Sequence, residues 1–170
     1  MSSPGPRLAV EPLRPDHELE EFDCGSEALN RFLKRFALVN QKAETARTYV
    51  ACEGRRVIGY YSLAVGSVQH AEAAKRVTKE LARHPVTVML LARLAVAQRE
   101  QGRGIGAGLL KDALLRTAQA ADLAGIRALL VHAKDDAAVA FYRHFNFDPS
   151  PTDPCHLFLL IKDIRRIVEN

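Results

Sequence analysis

Leu90-Leu91-Ala92-Arg93-Leu94-Ala95-Val96, then Gln101-Gly102-Arg103-Gly104-Ile105-Gly106, then a helical pattern from Ala107 to Leu123, decide how this chain folds. An apolar strand enters a glycine-rich turn and leaves it as a helix, so unpaired backbone N–H groups and the positive end of a helix dipole converge at one point. Such a point binds phosphate. The spacing is neither the dinucleotide pattern G-x-G-x-x-G nor a Walker loop with its Lys and Ser or Thr. What stands is Gln101-x-x-Gly104-x-Gly106 with an additional Gly102. Residues without Cβ let the main chain approach a pyrophosphate closely. Read alone, the same residues would also serve as an ordinary glycine-rich connection from strand to helix.

Working outward, Leu110, Ala113, Leu114, Ala118 and Ala121 keep the helical period behind the turn, and Gly125 stands where a C′ glycine ends a helix. Ile126 to Ala133 is a continuous apolar run of strand length, the pattern of a strand covered on both faces. A short helix follows from Asp135 or Asp136 to Phe145, with Phe141 and Phe145 paired at i, i+4, and a proline-bearing loop leads to a last strand, Cys155 to Ile161. Upstream, Val86 to Val96 is the strand that feeds the turn. Before it, Ala71 to Arg83 carries a helical pattern, with Ala74, Val77 and Leu81 on one face and Lys75, Lys79 and Arg83 on another. That basic stripe reads either as a solvated face with helix ion pairs or as a phosphate-binding surface. Thr45 to Cys52 and Val57 to Val65 form a hairpin around Glu53-Gly54-Arg55-Arg56. Ser26 is an N-cap ahead of an apolar stripe of Leu29, Phe32, Leu33 and Phe36. Leu8 to Leu13 starts the sheet, and Met1 to Pro6 is expected to fray.

The element order gives an α/β protein with helices on both faces of a mixed sheet, and residues 1–170 form a single domain with no repeat, linker or low-complexity run. The length is enough to bury about two thirds of the unfolded surface without a staple. Three separated cysteines, Cys24, Cys52 and Cys155, no metal-ligand spacing and no apolar leader point to a reducing cytoplasm. The apolar runs are shorter than the roughly 20 residues that cross a bilayer, so no membrane partner is expected. A net charge of +4 is too small to identify a polyanionic partner by itself.

Downstream of the glycine turn, Ala138-x-x-Phe141-Tyr142-Arg143-x-Phe145-Asn146-Phe147 completes a second signature. With the first, it resembles the GCN5-related N-acetyltransferases. More narrowly, Phe22-Asp23-Cys24-Gly25, Leu29-x-x-Phe32-Leu33, Asn40-Gln41, Ala46-Arg47-Thr48-Tyr49-Val50, Gly59-Tyr60-Tyr61-Ser62-Leu63 and Ala92-Arg93-Leu94-Ala95-Val96 are similar to the acetyltransferase toxins of bacterial type II toxin–antitoxin modules. The resemblance implies an acyl-CoA N-acyltransferase fold, a central mixed and mostly antiparallel sheet flanked by helices. It implies acetyl-CoA as co-substrate, with no metal. Two positions depart from the family pattern: Asp135 stands where many members have asparagine, and Asn146 replaces a turn glycine, a place where asparagine tolerates positive φ.

The same resemblance assigns roles. Leu94, Ala95 and Val96 would hold the pantetheine arm and stabilise the oxyanion through the backbone. Gln101, Gly102, Arg103, Gly104, Ile105, Gly106 and Ala107 would hold the pyrophosphate, with Asp135, Ala138 and Phe141 completing the cofactor site. Tyr142, whose reference pKa is near 10, would protonate the leaving thiolate; without the family match it reads equally as a core aromatic. No general base stands out, since His132 reads more readily as a strand-end histidine. The implied acceptor is the α-amino group of aminoacyl-tRNA, which titrates low enough to dispense with a base. Lys34, Arg35, Arg47, Lys75, Lys79, Arg83 and Arg93 are the candidates for its phosphates. The toxin class further implies a homodimer and a ribbon-helix-helix antitoxin that links the complex to operator DNA. A small amine or a protein amino group is the alternative acceptor.

Overall fold

The computed structural model describes residues 8–169 and divides into two compact units. The first takes the chain up to Leu63 together with Arg93–Asp112, and the second takes Ala64–Ala92 with the chain from Ala113 onward. The expectation of a frayed Met1 to Pro6 falls outside the described residues.

In the first unit, β1 (Val10–Pro12) pairs antiparallel with β2 (Arg47–Glu53), and β2 pairs antiparallel with β3 (Arg56–Val68), whose early part lies here. The expected hairpin is present and turns at Gly54, with φ +63°. Ser26 caps α1 (Glu27–Arg31), its side chain accepting from the Leu29 N–H. The apolar stripe then departs from its expected course. Phe32 and Leu33 are buried, but Phe36 is 45% exposed and Ala37 takes the buried position at 0%. The cause is a π-helical turn over Phe32–Phe36, in which the Ala37 N–H reaches back to the Phe32 carbonyl, so that positions five apart share a face before α2 (Ala37–Lys42) resumes. The core here gathers Phe22, Phe32, Leu33, Val50, Tyr60 and Ala95. Tyr60 satisfies its buried hydroxyl by donating to the Leu29 carbonyl at 2.7 Å.

In the second unit, β4 (Val86–Val96), whose early part lies here, runs parallel to β5 (Ala128–His132). The strand β7 (His156–Leu160) pairs antiparallel with β5, and β6 (Asp148–Pro149) pairs antiparallel with β7. The strand β5 is buried along Ala128–Val131, as its unbroken apolar run predicts. Val77, Val86, Val88, Leu130, Phe158 and Leu160 form the core. The seven strands make one mixed sheet in the order β1-β2-β3-β4-β5-β7-β6.

Three expectations are corrected in this second unit. The helix over Ala71 to Arg83 shrinks to one turn, α3 (Lys75–Thr78), after a short 3-10 turn at His70–Glu72; Lys79 already has ψ 127° and Glu80 has φ +67°. Lys75, Lys79 and Arg83 therefore share no helix face, and Leu81 is exposed. Gly125 is not a C′ residue, because its φ is not positive. The long helix α4 (Ile105–Ala121) ends well before it, tightening through the Leu123 N–H to the Ala120 carbonyl. A terminal helix, α6 (Ile161–Glu169), follows β7 where a strand end was expected. Among the described residues no helix is long and apolar enough to cross a membrane.

Candidate functional site

The expected site residues divide between the units. Leu94 to Ala107 belong to the first, and Asp135, Ala138, Phe141 and Tyr142 to the second.

At the end of β4, Ala95 faces the core while Leu94 and Val96 are half-buried. Beyond Val96 a short 3-10 turn, Gln98–Glu100, leads into an exposed run from Gln101 to Gly104. The Gln101 side chain donates to the Val96 carbonyl at 3.1 Å and so ties the turn to the strand. Gly102 and Gly104 have φ +84° and +78°, and no atom lies within 4 Å of where a Cβ would stand on either. This backbone conformation is costly for any residue with a Cβ. Gly106 differs: it is helical, and its added Cβ would meet only Val96 Cγ2 at 3.8 Å. The helix α4 starts at Ile105 with no acidic side chain in its first turn, leaving its N–H groups and dipole to an anion from outside. These features fit a pyrophosphate. The Arg103 side chain is committed elsewhere, bonded to Glu53 at 3.1 Å and to the buried Glu100, so its contribution to the turn is its backbone. Glu100 also lies 3.5 Å from Arg56. Sequence reasoning passed over Glu100, although an acid three residues before Arg103 was visible.

In the second unit, Asp135 caps α5 (Asp136–His144), its Oδ1 accepting from the Ala138 N–H at 2.8 Å. This gives the departure from asparagine a local role that either residue fills. Asn146 adopts φ +68° after the helix, as expected. Tyr142 is 8% exposed and meets Phe141 and Phe147 edge-on, with ring centroids 5.1 and 5.4 Å apart. Burial pushes its hydroxyl up to about 12, so it stays protonated through the physiological range. His132 ends β5 with its ring stacked on that of His156 at 4.0 Å. Burial, and then the neighbouring His156, hold its pKa below the usual histidine value.

The basic candidates are scattered. Lys34 and Arg35 are exposed around a hollow that Arg31 shares, and Arg47 is 3.9 Å from Glu44. The Arg93 guanidinium lies 3.6 Å from the centre of the Phe32 ring, a cation–π contact that fixes it.

One group has the composition of a metal site: single ligand atoms of Glu11, His17 and Cys52 lie within 4.8 Å of one another. The ring does not suit that role. His17 Nδ1 accepts the Arg14 N–H at 2.8 Å and Nε2 donates to Glu11 at 2.7 Å, so no lone pair is left. Burial, with the Glu11 charge, raises the Cys52 thiol to about 11.

Residues 10–147 match the model of the acetyltransferase (GNAT) family. The chain is 50% identical to a tRNA-acetylating toxin of Mycobacterium tuberculosis (strain ATCC 25618 / H37Rv), over 89% of this chain and 90% of that one. Among solved structures, AtaT complexed with acetyl-methionyl-tRNAfMet superposes with a TM-score of 0.87 at 31% identity, covering 94% of this chain and 98% of that one. A mutant AtaT toxin bound to the C-terminus of the antitoxin AtaR and acetyl-CoA superposes with a TM-score of 0.81 at 31% identity, covering 96% and 99%. The chain belongs to the GNAT family and is an acetyl-CoA-dependent N-acetyltransferase.

Proposed function

We propose that this chain is the toxin of a type II toxin–antitoxin module that acetylates the α-amino group of an aminoacyl-tRNA and thereby blocks translation. The observation that carries this reading is the half identity with a tRNA-acetylating toxin along nine-tenths of both chains. The chemistry agrees with it. A free α-amino group titrates at about 7.7–8.0, and esterification of the carboxyl lowers that, so a large neutral fraction exists without a general base. A lysine acceptor near 10.4 would demand one.

Acetyl-CoA supplies the acyl group as a thioester. Backbone groups of Leu94, Ala95 and Val96 hold the pantetheine arm, and the turn from Gln101 to Ala107 holds the pyrophosphate. Asp135, Ala138 and Phe141 complete the cofactor site on the tyrosine helix and its cap. Tyr142 keeps its proton until the thiolate leaves and then donates it. The toxin works as a cytoplasmic homodimer and pairs with a ribbon-helix-helix antitoxin, through which it reaches operator DNA. The likeness to AtaT bound to the C-terminus of AtaR supports the antitoxin partner.

Incubation with radiolabelled acetyl-CoA and total charged tRNA tests this. Label should appear in tRNA and be released by mild base as N-acetyl-amino acid. Label confined to free amines or to protein lysines would overturn the reading.

A further inference from the structure

A cavity of about 590 Å³ in the second unit is lined by Arg76, Lys79, Arg127, Lys162 and Arg165, against the single acid Glu80. These residues come from α3 and its exit, the approach to β5, and α6. The truncation of α3 puts Lys79 on this wall, because the chain leaves the helix there and passes through Glu80 in the left-handed region. Arg127 Nε donates to the Val77 carbonyl at 2.8 Å and Nη2 to the Lys79 carbonyl at 3.5 Å. Arg76 is held by Asp163 at 2.8 Å and Asp148 at 3.4 Å, and Arg165 by Asp122 at 3.1 Å. Three guanidinium groups are thus fixed in place. Lys79 and Lys162, among the described residues, have no carboxylate within ion-pair distance.

Arg76 and Arg165 are neutralised by their carboxylates, which leaves Lys79, Arg127 and Lys162 against Glu80, a positive excess that an entering anion would neutralise. The volume falls in the range of small-ligand pockets, about 300–1,000 Å³, so it accepts more than a bare inorganic ion. No aromatic side chain lines it, so it offers no platform for base stacking. Charge without stacking suits a sugar–phosphate backbone whatever its sequence.

We infer that this cavity binds the RNA backbone of the acceptor, with Lys79 and Lys162 as the phosphate ligands and the fixed arginines as their frame. The inference rests on the tRNA reading above. It replaces the expected Lys75, Lys79 and Arg83 stripe, of which only Lys79 lines the cavity.

The test compares wild type with Lys79→Gln/Lys162→Gln and Lys79→Glu/Lys162→Glu on two acceptors: intact aminoacyl-tRNA and a short aminoacylated oligonucleotide carrying only the 3′ end. On intact tRNA, KM should rise at least about tenfold with kcat little changed, and the slope of log affinity against log salt should become shallower by up to about 2, near 0.9 for each lost duplex phosphate. KM for the short acceptor should stay within about twofold of wild type, since it lacks the stem phosphates that the cavity is proposed to hold. Unchanged KM and salt slope in folded variants would overturn the inference, as would equal losses on both acceptors. A third overturning result is binding of inorganic phosphate that the Lys79 and Lys162 substitutions abolish while tRNA affinity stays at the wild-type value with and without phosphate, which would make the cavity a small-anion site only. A wild type inactive on all charged tRNA would instead sink the acceptor reading itself.

Discussion

A Cβ placed on Gly59 would lie 2.9 Å from Leu109 Cδ1 and 3.3 Å from the Ala95 carbonyl oxygen. Strand β3 therefore meets the end of β4 and the first turns of α4 at a distance that only a residue without a side chain permits. Leu109 is itself fully buried, so it has little room to retreat. Gly59→Ala should cost about 1–3 kcal/mol through overpacking. For a protein of this size that is a fall in Tm of roughly 2–10 °C. A thermal melt within about 1 °C of wild type would show that Leu109 gives way freely.

The two glycines of the phosphate turn should behave differently. Gly104→Ala carries strain from φ +78°, of order 1–2 kcal/mol, and should lower both stability and acetyl-CoA affinity. Gly106→Val sits on a helix with nothing closer than 3.8 Å to its Cβ. It should melt near wild type yet raise the Kd for acetyl-CoA at least about tenfold, because its branches enter the space in front of the helix N-terminus. Calorimetry reads the affinity, and normal binding by a well-folded Gly106→Val would remove this turn from the cofactor site.

Tyr142→Phe keeps the ring contacts with Phe141 and Phe147 and removes the proton. The rate of acetyl transfer should fall by about 10² to 10⁴ while acetyl-CoA affinity stays put. The raised pKa adds a stability signature. The folded protein keeps this proton up to about 12, whereas an unfolded tyrosine loses it near 10.0, so the stabilisation is complete below pH 10 and is lost as pH rises through 12. Denaturant unfolding of wild type should therefore lose stability relative to Tyr142→Phe across that alkaline window. Parallel curves there would mean that the hydroxyl ionises at its ordinary pKa.

Asp135 offers a clean separation of roles. As a helix cap it can be replaced by asparagine, whose side-chain oxygen accepts the same Ala138 N–H. Asp135→Asn should match wild type in stability and in acetyl-CoA affinity, while Asp135→Ala should lose about 0.5–2 kcal/mol. A drop in acetyl-CoA affinity for Asp135→Asn at wild-type stability would give the carboxylate a direct contact with the cofactor.

Local signals were legible wherever one period or one cap governs the outcome. Val86 to Val96 is a strand over its full expected length, Ser26 is a cap, and Asn146 takes the left-handed turn. Failures came where tertiary packing overrode a period. Ala71 to Arg83 carries a persuasive helical charge pattern, but its carbonyls at Val77 and Lys79 bond to Arg127 from a distant part of the chain, and one helical turn remains. The terminal helix has a legible period of its own. Ile161, Ile164 and Val168 keep a helical spacing, but Ile161 was absorbed into the apolar run of the preceding strand. The basic cavity could not be read from the sequence at all, because its five cations are spread from Arg76 to Arg165 and no spacing links them.

The π-helical turn at Phe32–Phe36 is a phase slip of one residue written into the chain. Everything before it counts from Ser26, and everything after it counts from Ala37. The consequence is that this segment is defined by its length more than by its composition. Were the same residues wound as an unbroken α-helix, Phe36 would stand four after Phe32 and take its face. A residue from the exposed side would then rotate toward the place now filled by the Ala37 methyl group, which has no accessible surface to spare. Substitutions at the exposed Lys34 and Arg35 leave the slip, and with it the packing of Ala37, in place.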